Sequence, residues 1–102
     1  MTSGKVRPAR EGDEDRFDVL VASLAGISST ATMKAFLRDL CTMTELDAMG
    51  QRLQVASLVD EGVSYSEISK RTGASTATVT RVAHWLRYGE GGYRAVLKKV
   101  KR

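Results

Sequence analysis

From Asp13 onward, apolar residues recur at three- and four-residue spacing in six separate stretches, the period of helices that each turn one face to a core. Phe17, Leu20, Val21 and Leu24 mark the first, and Gly26 followed by Ile27-Ser28-Ser29-Thr30 ends it. Met33, Phe36, Leu37 and Leu40 share one side of a second helix over about 31–40. Thr42 then stands three residues before Glu45, the spacing of a capping box, and opens the longest helix, about 43–61. That helix carries two apolar stripes, Leu46-Met49-Gly50-Leu53-Ala56 and Val55-Leu58-Val59. Two stripes predict a helix covered on two sides, as in a central strut or a subunit interface. Gly62 closes it. A last short helix, 93–100, follows the Gly89-Glu90-Gly91-Gly92 elbow and is expected to turn Val96, Leu97 and Val100 inward. No stretch shows the two-residue period of a strand, so the fold class is all-α. Residues 1–12 hold the only proline and no apolar period, and are expected to be a flexible arm before one helical domain, 13–102.

Between the long helix and the elbow, Ser64 to Arg87 reads as two short helices joined by a tight turn, the layout of a helix-turn-helix. Ser64 and Glu67 have capping-box spacing, which starts a helix over 65–72. Gly73 falls where the chain must leave it through a left-handed conformation, and Ser75 caps a second helix over 76–88. Ile68, Ala74, Val79, Val82 and Leu86 form a small core between the two. Thr76, Ala77, Thr80, Arg81 and His84 are left on or near the outer face, where methyls and short hydroxyls suit the edges of bases in a major groove.

Charge sharpens this picture. The net charge is +4, yet residues 1–69 carry seven Lys/Arg against eleven Asp/Glu, and residues 70–102 carry nine against Glu90 alone. Positive charge therefore gathers on and after the second helix of the pair, as expected beside a phosphate backbone. The single cysteine, Cys41, excludes an intrachain disulfide and reads as a buried thiol among Phe36, Leu37 and Leu40. No apolar run approaches membrane-spanning length, so a cytoplasmic protein, nucleoid-associated when bound to DNA, is expected. The only histidine, His84, has no acidic neighbour in sequence, and no phosphate loop, metal-spaced cluster or nucleophile elbow appears. Neither an enzyme nor a metal or cofactor is expected.

The run FLRDLCTMTELDAMGQRLQVASLVDEGVSYSEISKRTGASTATVTRV, followed by LRYGEGGY, resembles the Trp repressor superfamily, in particular its TrpR-related YerC/YecD family. TGASTATVTRV is the most specific part. The resemblance implies a six-helix, intertwined homodimer whose two helix-turn-helix units sit one DNA turn apart, about 34–36 Å. It places Thr76, Ala77 and Thr80 at base-facing positions, and Arg81, Ser66 and Ser69 near the DNA. The two serines stand where the repressor has basic residues, and Lys70 and Arg71 are the nearest cations to replace them. The repressor's tryptophan site corresponds here to Thr42, Arg52, Arg81, Val82 and Trp85. Val82 stands for a glycine that makes room for the ligand's indole, and Trp85 for a serine that bonds its amino group. A valine and an indole are expected to fill that cavity, so the response to tryptophan is expected to be lost and no other effector is indicated.

The expectation is thus a homodimeric transcriptional regulator that binds double-stranded DNA sequence-specifically. Lys70, Arg71, His84 and Arg87 join Ser66, Ser69 and Arg81 as phosphate or flanking positions. Two alternatives stand beside it: a helical dimerisation module that docks another protein, and a nonspecific nucleic-acid binder.

Overall fold

A computed structural model of the chain describes residues 15–100, so the expected arm, 1–12, lies outside the described residues. These residues form six helices and no strand: α1 (Arg16–Ala25), α2 (Thr30–Leu40), α3 (Met43–Asp60), α4 (Tyr65–Thr72), α5 (Thr76–Tyr88) and α6 (Gly92–Val100). Each of the first five begins on a side chain that accepts from the backbone of its first turn. Asp15, Ser29, Thr42, Ser64 and Ser75 do so in that order. Only Thr42 completes the reciprocal box: its Oγ1 accepts from Glu45 N–H at 3.0 Å, while its own N–H donates to Glu45 Oε1 at 2.7 Å. Ser64 accepts from Glu67 N–H at 3.3 Å, but the Glu67 carboxylate pairs with Arg71 Nε at 3.2 Å one turn on. The expected second box is therefore half made, because an i,i+4 arginine competes for the same carboxylate.

The helices gather into two compact units, one ending at Cys41 and the other running from Thr42. In the first, neither α1 nor α2 contains a buried residue. Leu20, Leu24, Met33, Phe36 and Leu37 are partly covered, whereas Phe17, Val21 and Leu40 lie open. Cys41, expected to be buried, is only partly so, and its N–H closes α2 on the Leu37 carbonyl.

The second unit holds the core. Val55, Ala56 and Val59 from α3 meet Ile68 from α4, Ala74 from the turn, Val79, Val82, Ala83 and Leu86 from α5, and Leu97 from α6. This takes the Val55-Leu58-Val59 stripe of α3 and Ala56 from the end of the other. The rest of that other stripe stays open: Met49 and Leu53 are exposed and Leu46 is only partly covered. In α6, Leu97 is buried but Val96 is 46% exposed, against the expectation that both turn inward, and the Val100 side chain lies outside the described residues. Gly89 ends α5 by donating its N–H to the Trp85 carbonyl, and a Cβ there would collide with that oxygen. Glycine is required at this corner by close approach, not by φ. No described helix is long and apolar enough to cross a membrane.

Candidate nucleic-acid interface

The α4–turn–α5 unit is built on short-range contacts. Gly73 takes φ 77°, a left-handed conformation that any side chain would strain, and its N–H bonds the Ser69 carbonyl. Thr72 organises the corner: its hydroxyl donates to the Ile68 carbonyl at 2.8 Å and accepts from Ala74 N–H at 3.1 Å. Ser75 Oγ accepts from Thr78 N–H at 3.1 Å and lies 3.1 Å from Thr78 Oγ1. Beneath this corner Ile68, Val79 and Val82 are almost fully buried. The first turns of α5 are thus held from both sides.

On that frame Thr76, Ala77, Thr80 and Arg81 are all exposed, and they fall within six consecutive residues at the start of α5. Thr76 and Thr80 lie one helical turn apart on the same face. Lys70 and Arg71, in the last turn of α4, and Ser66, in its first turn, are exposed too. Ser69 is placed differently from the expectation: its Oγ is shielded from solvent and has no hydrogen-bond partner. A hydroxyl so enclosed does not face a DNA backbone.

His84 and Arg87 are also set apart. Arg87 follows Thr76 by eleven residues, roughly 16 Å along a helix that rises about 1.5 Å per residue. Its Nη1 donates to Tyr65 Oη at 3.0 Å, tying the end of α5 to the start of α4. His84 packs edge-on against Trp85, with ring centroids 5.6 Å apart, and against Tyr88 at 5.2 Å. The expected flanking group therefore divides in two. Lys70, Arg71 and Arg81 stay beside the start of α5, while His84 and Arg87 take part in contacts within the protein at its far end.

Of the five positions matched to the tryptophan site, Trp85 lines an open groove and the other four do not line it. Thr42 is committed to its capping box, and Arg52 and Arg81 are exposed. Val82 is 1% exposed and belongs to the core, so its methyls occupy space a glycine would leave. Trp85 departs from the expectation. Its indole is 51% exposed and lines an open groove of about 460 Å³ with Leu53, Gly89, Glu90, Tyr93 and Val96. Neither arginine lines this groove.

Sequence reasoning missed two participants. Gln51, on α3, donates from Nε2 to the Thr72 carbonyl at 3.2 Å, and Tyr65 receives Arg87. Both contacts span more than twenty residues, and no local spacing signals either.

Six helices with a capped, glycine-turned helix pair define a helix-turn-helix protein. The family model for the Trp repressor protein matches residues 15–101. The protein YerC of Bacillus subtilis is 40% identical over 84 residues, 82% of this chain and 81% of that protein. The Trp operon repressor homologue of Actinobacillus succinogenes is 33% identical over 86 residues, 83% and 85% of the two chains. A solved structure of a TrpR-like protein from Eubacterium eligens superposes with a TM-score of 0.80 at 31% identity, covering 89% of this chain and 94% of that one. The chain belongs to the Trp repressor family, in which it groups with YerC.

Proposed function

We propose that this protein is a homodimeric transcriptional regulator that reads double-stranded DNA with the start of α5 and does not respond to tryptophan. The observation that carries the proposal is the face formed by Thr76, Ala77 and Thr80. It is exposed, small and methyl-bearing, on a helix whose opposite side is locked into the core. Lys70, Arg71 and Arg81 beside it supply cations that position a phosphate backbone, while the α5 side chains contact base edges. A homologue named as a Trp operon repressor supports the same reading. The second copy is argued from what one chain leaves open: the Met49–Leu53 stripe of α3, the Trp85 groove, and α1 and α2 without a buried residue.

Selection from a random DNA library should enrich a two-fold-symmetric site. Failure to enrich any sequence favours protein docking by the same helices. On the enriched site, Thr80→Ala should reduce discrimination at one position of each half-site, where one good contact is worth about 1–3 kcal/mol. Lys70→Ala should instead weaken matched and scrambled DNA alike and lower the salt slope by about one unit per contact, doubled in a symmetric dimer. An unchanged matched-to-scrambled ratio for Thr80→Ala would remove α5 from base reading.

Val82 supports the loss of the tryptophan response. Its side chain is part of the core, so an indole entering there has to displace packed atoms. Calorimetry with millimolar L-tryptophan should therefore show no heat beyond dilution. Saturable binding at one site per subunit would show that the cavity persists.

A further inference from the structure

The contact between Gln51 and Thr72 joins the strut α3 to the corner between α4 and α5, across 21 residues. It is partly buried, and it falls where a helix ends. The last carbonyls of any α-helix lack partners within the helix, and those of a buried end need donors from elsewhere. Thr72 is the final residue of α4, and its carbonyl takes the Gln51 side-chain N–H at 3.2 Å. The Thr72 hydroxyl meanwhile holds the Ile68 carbonyl on one side and Ala74 N–H on the other. A single residue thus links α3, α4 and the entry to α5. Gln51 lies one turn before Val55, which is fully buried against the same helix pair, so its amide is carried on a face that cannot turn away.

We propose that Gln51 is a positioning residue for DNA reading: it fixes the Thr72–Ser75 corner against α3 and so sets where Thr76 and Thr80 meet the bases. This rests on the reading of α5 as the DNA-contacting helix. Val82 fills the space beneath α5 and Gln51 pins its approach, so the reading pair is held to its strut by side chains of the chain itself. Without that bond the corner pivots at Gly73, whose backbone is the least restricted in the turn. Displacement of the corner moves the start of α5 before it moves the end, because Arg87 and Tyr65 secure the far end independently.

The test is Gln51→Met, which keeps the length of the side chain and its apolar stem but removes the donor. Gln51→Glu, which also lacks a donor when ionised, is the second variant. Both are compared with wild type as full-length protein on the enriched DNA site and a scrambled one, well below the melting temperature. The matched-to-scrambled ratio should fall by about tenfold in each, the fold-change equivalent to about one hydrogen bond. For Gln51→Met the salt slope should be unchanged, since glutamine neutralises no phosphate. Amide exchange at Gly73 and Ala74 should quicken while exchange in the middle of α3 does not. General destabilisation would weaken both DNAs equally and leave the ratio alone. A selective wild type with an unchanged ratio in both variants overturns the role of Gln51. A wild type that prefers no sequence overturns the DNA reading, and this inference with it, so the two failures are told apart.

Discussion

Leu53→Asp is expected to abolish assembly. At micromolar concentration the wild-type chain should sediment at about twice its 11.1 kDa mass, and the variant should be monomeric and partly unfolded. The argument starts from coverage. Every buried apolar residue among the described ones belongs to the unit from Thr42 onward, and of the Leu46-Met49-Gly50-Leu53-Ala56 stripe of α3 only Ala56 is buried there. Met49 and Leu53 are left exposed on that stripe, with Trp85 and Val96 exposed beside Leu53 in the groove. A contiguous apolar surface of this kind marks an interaction site in a well-behaved protein. If a second copy covers it, an aspartate at position 53 places an unpaired carboxylate in an apolar interface. Such a charge costs about 3–5 kcal/mol per site, and two-fold symmetry introduces it twice. A stable, folded wild-type monomer would defeat the dimer proposal, whatever the variant does.

The second large effect is expected inside one subunit. Ile68→Ala removes a fully buried side chain that α4 inserts between α3 and α5. Loss of an isoleucine to alanine in a packed core costs about 2–5 kcal/mol, against about 5–15 kcal/mol of total stability for a typical domain. Urea unfolding should show that loss, while Ile68→Val should lose only about 0.5–1.5 kcal/mol. The backbone carbonyl at position 68 that accepts from the Thr72 hydroxyl is kept in both variants, so any loosening of the α4–α5 corner should come from the lost packing alone. A loss under about 1 kcal/mol for Ile68→Ala would mean that α4 is not anchored by this side chain.

The helix-turn-helix was legible in the sequence because its boundaries are made locally. Ser64, Gly73 and Ser75 each act on backbone groups within a few residues, and the spans of α4 and α5 follow from them. The inner residues were legible for the same reason, since Ile68, Val79, Val82 and Leu86 repeat at the helical period and all are buried. Periodicity marks which face is apolar, but it does not say what covers that face. Val96 and Leu97 look alike in the pattern, yet one is 46% exposed and the other 3%. Glu67 had two partners within reach, a backbone N–H and Arg71, and spacing alone does not choose between them. Trp85 was expected to fill a cavity by substitution at one family position, but its indole lies in the groove toward α6. The long-range bonds of Gln51 and Arg87 were illegible for a plainer reason: each depends on two helices having already packed.

Val82 has a consequence for control. With that valine in the core, the space a glycine would leave for an indole is filled, and under the proposed function no tryptophan level is written into the affinity for DNA. Occupancy of a target by such a dimer is then governed by the number of chains in the cell. At low abundance, where most chains are single, the dimer concentration rises as the square of the subunit concentration by mass action. Doubling synthesis then about quadruples the binding-competent species, and dilution by growth removes it as steeply. Under the proposed function, a dimer of this kind would respond to its own production and turnover, counting copies instead of sensing tryptophan.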